Sequence, residues 1–109
     1  VDGNVICEEL RVLLSPAWPD YVFEKDYNLM PLEEVETSIR EQGHLPGVPS
    51  AAVIDKDGLP VGAIAASQQE KIEEAFLHLI ELNRQMKELQ EENVRLRTRL
   101  DRMEQEAQD

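Results

Sequence analysis

His44, Cys7 and the pair Asp55 and Asp57 are the side chains of this 109-residue chain whose types and settings could support reaction or metal chemistry. His44 lies in Gly43-His44-Leu45-Pro46, and a histidine acts as a general base or a ligand only with a nucleophile or further ligands at suitable spacing. No Ser, Cys or Asp near it supplies a triad or a metal site, so His44 reads as a hydrogen-bonded structural residue. Asp55-Lys56-Asp57-Gly58 brings two carboxylates together but lacks the others that a helix–loop–helix calcium loop requires, and it reads as a solvated turn. Cys7 is alone, so no intrachain disulfide forms and the redox compartment is not legible from it. Trp18 reads as a packing anchor, not a ligand platform. The expectation is a non-enzymatic chain with no catalytic residue, cofactor or metal ligand.

Composition narrows the partners. A formal net charge of -12 argues against nucleic acid, whose phosphates are bound by clustered Lys and Arg that here never stand free of acids. Anionic membrane surfaces are disfavoured for the same reason. Up to Ala66 there are 12 acidic and 4 basic residues, and beyond it 11 and 7, so the acidity sits mainly on the first part. No stretch reaches the length of a membrane span and no signal peptide is visible, so membrane insertion is not expected. A first residue of Val1 instead of Met reads as a fragment, which makes the lack of a targeting segment uninformative.

The elements that must position these residues are few. Residues 1–14 read as a turn, Asp2-Gly3-Asn4, and a strand with Ile6, Leu10, Val12 and Leu14 on one face, needing the same strand of neighbouring chains as a partner. Ser15 to Asp20 is a two-proline connector, and Tyr21-Val22-Phe23 a short apolar strand or extended piece. Pro31 to Gln42 is the best short helix, with Pro31 at its first position and Glu33 and Glu34 where the dipole favours negative charge. Leu32, Val35 and Ile39 form its apolar stripe, and Gly43 suits the left-handed closing position. Gly43 to Ser50 is a loop stiffened by Pro46 and Pro49, with Leu45 and Val48 available for burial. Ala52-Val53-Ile54 and Leu59-Pro60-Val61 read as short extended pieces around the Asp55–Gly58 turn.

From Ala63 a helix should run without a breaker to near the end, a rod on the order of 60 Å at ~1.5 Å per residue. Within it, Ile72, Leu79, Met86, Asn93, Leu100 and Ala107 take heptad position a, and Ala75, Leu82, Leu89, Leu96 and Met103 take d. Asn93 is the one polar residue among them. A stripe that narrow is covered only by another helix, the requirement of a coiled coil. Phe76, Leu77 and Ile80, at e, f and b, are apolar outside the seam, so the head is expected to fold back there. The stripe of Leu32, Val35 and Ile39 is the candidate partner surface.

Charges beside the seam bear on strand direction. In a parallel, in-register bundle g of one helix faces the following e of the next, so Glu92 meets Arg97 and Arg99 meets Glu104, both of opposite sign. Each exposed pair is worth only ~0.2–1 kcal/mol, so the pattern speaks to register more than to strength. The plainer reading is that these charges only solubilise. Asn93 at a favours two strands, whereas Arg99-Leu100-Asp101-Arg102-Met103-Glu104 resembles a short signature of parallel trimers, in which an Arg stem covers the seam and its guanidinium reaches the neighbouring Glu. The balance favours three helices.

The stretches Trp18-Pro19-Asp20-Tyr21-Val22-Phe23, Tyr27 to Glu36 and Gly43 to Ala51 carry a wider likeness. They resemble the C-terminal region of bacterial tail-fibre-domain surface proteins, in which a strand-rich fibre ends in this head and a coiled coil. Val1-Asp2-Gly3-Asn4-Val5 resembles the last fibre repeat, and Gly62 with the helix from Lys71 to Met86 continues the match. His44 to Ala51 is the specific run, whereas heptads alone are not. More distantly, the architecture is similar to the intramolecular chaperone ends of phage tail spikes and fibres, many of which cut themselves off. The self-cleaving families place aspartate after the serine, followed by Arg and Lys. Ser15 is followed by Pro16, and Ser50 by Ala51, and this departure from the self-cleaving pattern favours a permanent cap over a removable chaperone.

The expected fold is therefore α+β: the end of a β-fibre shaft at 1–14, a small strand and short-helix head at 15–62, and a coiled-coil helix at 63–109 forming a parallel homotrimer. Its head would pack through Trp18, Tyr21, Phe23, Leu32, Val35, Ile39, Leu45, Phe76 and Ile80. The resemblance implies a trimerisation and folding cap joined to the upstream fibre of the same chain, at a cell surface or on a virion tail fibre. The alternatives are a dimeric or hetero-oligomeric adaptor and a receptor-binding tip. For the last, no sugar-stacking aromatic set stands outside Trp18 and its neighbours.

Overall fold

Helices supply all the regular structure in the computed structural model, which describes residues 3–13 and 18–108. A short 3-10 helix, Pro19–Phe23, precedes three α-helices: α1, Leu32–Gln42; α2, Ala51–Asp57; and α3, Val61–Gln108. The chain divides into two compact units, Val1–Glu73 and Glu74–Asp109, and α3 runs through the boundary.

The α+β expectation is thereby corrected, since there is no strand among the described residues. Residues 3–13 are exposed and without regular structure. A strand is held by ladder hydrogen bonds to a second strand, and with none beside it the backbone groups go to water. The parts of that expectation resting on Val1, Asp2 and Leu14 lie outside the described residues, as do Ser15, Pro16 and Ala17 of the connector.

Tyr21-Val22-Phe23 is not extended either. Pro19 starts the 3-10 turn with its ring-locked φ, Trp18 before it is extended as a pre-proline residue must be (ψ 144°), and the Asp20 N–H donates to the Trp18 carbonyl at 2.9 Å. The turn buries Val22 and Pro19 almost completely, and these two are the fully buried apolar side chains among the described residues. Tyr21 and Tyr27 meet edge to face, with ring centroids 5.9 Å apart.

α1 follows its sequence pattern closely. Pro31 is the extended residue before the first turn, where its carbonyl accepts from Glu34 and Val35. Glu36 and Arg40 pair across one turn at 3.4 Å. Gly43 takes φ 81°, and its N–H donates to the Ile39 carbonyl at 2.8 Å, closing the helix.

The second pair of expected strands is also replaced by helix. Ser50 caps α2, its hydroxyl accepting from the Val53 N–H at 3.3 Å, and Ala51 and Ala52 are strong helix formers behind it. That cap outweighs the β-propensity of Val53 and Ile54. Asp55, Lys56 and Asp57 form the last turn of α2 and Gly58 ends it at φ 83°. Leu59 and Pro60 then make a two-residue link, with the Pro60 carbonyl accepting from Ile64 inside α3.

Candidate oligomerisation surface

Within the first unit the head lies against the start of α3 through specific contacts. The Tyr21 hydroxyl donates to the Glu70 carboxylate. Ser67 donates from its hydroxyl to the Gly47 carbonyl at 3.4 Å. Gly47 has φ +76°, and a β-carbon there would lie 3.8 Å from the Lys71 Nζ, which itself sits 3.5 Å from the Glu70 carboxylate. Glu73 is buried, with one oxygen accepting from the Gln69 amide at 2.9 Å and Oε1 left without a partner.

In heptad terms the head takes the outside of its own helix. Glu70 is at f, Ser67 at c, Lys71 at g and Glu73 at b. From Ala65 to Glu73 the exposed residues are Ala65, Gln68 and Ile72, and every other residue is half-buried or buried. Those three are the a, d and a positions of the register that places Ile72 at a. The exposed stripe therefore starts earlier than Ile72. Its first positions were missed because Gln68 is polar and Ala65 is apolar only weakly, and the covering of their neighbours reveals them.

The second unit continues the same stripe. Ile72 just before it and Leu79, Leu82, Met86, Leu89, Leu96, Leu100 and Met103 within it are all exposed, about half of each accessible, and Asn93 is exposed among them. Ion pairs along this helix avoid the stripe. Arg84 at f donates to Glu88 at 2.5 Å and also to Glu81, both at c, and Arg95 at c donates to Glu92 at g at 2.8 Å. The Arg84 hydrogen bonds hold the Glu81 carboxyl below its ordinary range, and the same contact raises Arg84. Glu92 raises Arg95 likewise. Among the described residues no ion pair engages Arg97, Arg99 or Glu104. Each can serve a neighbouring helix without breaking a contact.

The expected head-packing residues are dispersed. Tyr21 contacts Glu70 of α3, whereas Trp18, Phe23, Leu32, Ile39 and Leu45 are exposed, and Val35 is half-buried. Phe76 and Ile80 are also exposed, at 56% and 63%. The stretch of helix that the head covers is Ala66 to Glu73, upstream of those two.

The Nδ1 of His44 lies 2.9 Å from the carbonyl of Leu45 beside it. Among the described residues no group of three or more His, Cys, Asp or Glu is placed to hold a metal ion. Among the described residues no helix is long and apolar enough to cross a membrane. What this surface can do chemically is exclude water against a matching helix. No family model, curated protein or solved structure matches the chain.

Proposed function

We propose that this chain is a non-enzymatic, homotrimeric assembly module, the trimerisation and folding cap at the C-terminal end of a fibrous surface or phage-tail-like protein. The observation that carries the assembly is the bare seam: the head covers every other position of Ala66–Glu73 and leaves Ala65, Gln68 and Ile72 in line with the apolar stripe beyond. A helix clothed on its outside and open along a heptad stripe has that stripe available for a partner helix. Opposite charges at Glu92 and Arg97, and at Arg99 and Glu104, support a parallel register, and the Arg99 to Glu104 run supports three chains. The fibre role, and with it the cell surface or virion location, is supported by the resemblance carried by Trp18–Phe23, Tyr27–Glu36 and Gly43–Ala51.

The mechanism is local mass action. Once the helices zip, the three upstream segments no longer have to find one another, because their effective concentration is set by the joint. Burial of the seams also stabilises heads that bury little of their own apolar surface. Light scattering on the purified chain tests this, with a mass of three chains expected and a monomer at micromolar concentration refuting it. A mass of two chains supports instead the dimeric adaptor, which the amide of Asn93 at an a position favours.

A further inference from the structure

We propose that the loop from Gly43 to Ser50 of each chain clasps the Phe76 and Ile80 flank of the neighbouring copy, locking each head to the next chain. The inference rests on the parallel, in-register reading above and adds to it a second contact outside the seam.

Its basis is where the loop is seated. Ser67, whose hydroxyl donates to the Gly47 carbonyl at 3.4 Å, is at c, and Lys71, beside Gly47, is at g. The loop thus occupies the c and g side of its own helix. In a parallel bundle the g side of one helix adjoins the e side of the next, and Lys71 at g faces Phe76 at the following e. Ile80, at b, borders that same side one turn farther on. Leu45, which opens the Pro46-Gly47 turn of the loop, is exposed at 41%, and Phe76 and Ile80 are exposed at 56% and 63%.

Composition matches the two surfaces. In a chain that is 31% charged, neither Gly43–Ser50 nor 75–80 contains an Asp, Glu, Lys or Arg. Elsewhere the head is acidic, so this loop is the edge that brings no charge of its own to an apolar flank, and Lys71 beside it is paired with Glu70. The Phe76 and Ile80 flank is also continuous with the seam at Ile72 and Leu79, so one docking event closes both.

Cross-linking between singly labelled chains tests the clasp. In a Cys7→Ser background, Leu45→Cys and Ile80→Cys chains are denatured, mixed, refolded and oxidised with diamide. The expected result is a 45–80 disulfide joining two chains in the mixture and in neither variant alone. A three-chain mass without that cross-link overturns the clasp and leaves the trimer standing, whereas a monomeric mass overturns both. A chain carrying both cysteines that closes within itself at equal yield overturns the clasp in favour of the chain's own head. Independently of any cysteine, Phe76→Ser/Ile80→Ser should keep the three-chain mass and speed amide exchange at Val48 by about tenfold or more. Unchanged exchange counts against the proposal.

Discussion

Shortening Leu89 and Leu96 to alanine separates an assembling helix from a solitary one by the sign of the effect. In the single chain these residues are 60% and 48% exposed, so about half of each side chain remains to be buried by a partner. Complete burial of a leucine is worth ~1.5–3 kcal/mol, so the half completed on assembly contributes ~0.8–1.5 kcal/mol per chain. Packing loss around the shortened side chain brings a single Leu→Ala change to ~1–2 kcal/mol per chain, and ~3–6 kcal/mol for three chains. At ~1.4 kcal/mol per tenfold, the assembly constant should fall by ~10²–10⁴. A solitary helix behaves oppositely, because alanine is the best helix former and Leu→Ala leaves helicity equal or higher. Sedimentation equilibrium over a dilution series, with far-ultraviolet circular dichroism on the same samples, reads both quantities. Leu89→Ala and Leu96→Ala should dissociate at higher concentration and lose helix as they do. A variant that keeps its mass and helicity at every dilution refutes the assignment of the seam.

Other perturbations address single features. Arg99→Glu and Glu104→Arg should each weaken assembly and together restore it, by virtue of the g-to-e pairing; if the double variant is as weak as the singles, the parallel register is wrong. Glu73→Leu removes a buried carboxylate oxygen without a partner and should raise the thermal midpoint of the head, by ~1–3 kcal/mol in stability. A lowered midpoint would mean that Oε1 holds a donor. Gly43→Ala forces a β-carbon into φ 81°, where open space leaves only the backbone cost of ~1–2 kcal/mol, read by urea denaturation. Arg84 holds the Glu81 carboxyl below its ordinary range, chiefly by hydrogen bonding, so its contribution is present above the unfolded carboxylate pKa. That contribution disappears as pH falls through the lowered folded value. In Glu81→Gln the acid-induced loss of helicity should shrink, and an unchanged acid profile would show the contact to be inconsequential.

The heptad period and the Gly43 stop were legible from residue order because they depend on neighbours within one or two turns. The long helix and α1 with its Gly43 stop follow from local spacing, dipole and backbone sterics. Extended structure was misread where the deciding group lay outside the pattern. Val53 and Ile54 suggest a strand, but the Ser50 cap starts a helix across them. Val22 and Phe23 suggest another, but Pro19 winds a 3-10 turn that buries Val22. In both cases one residue's hydrogen bond or ring constraint overrides the propensity of two.

The residue order by itself determined the heptad register, since a seven-residue recurrence of Ile72, Leu79, Met86 and their d partners needs no contact information. Only the tertiary structure decided what covers the rest of that helix. Tyr21 on Glu70, Ser67 on Gly47 and the burial of Glu73 join residues as far as 49 positions apart. Such contacts depend on chain reversal at Gly43, Gly47 and Gly58, whose positive φ values turn the chain. Ala65 and Gln68 join the exposed stripe for the same reason: Gln68 is polar, Ala65 only weakly apolar, and each is identified by what the head leaves uncovered.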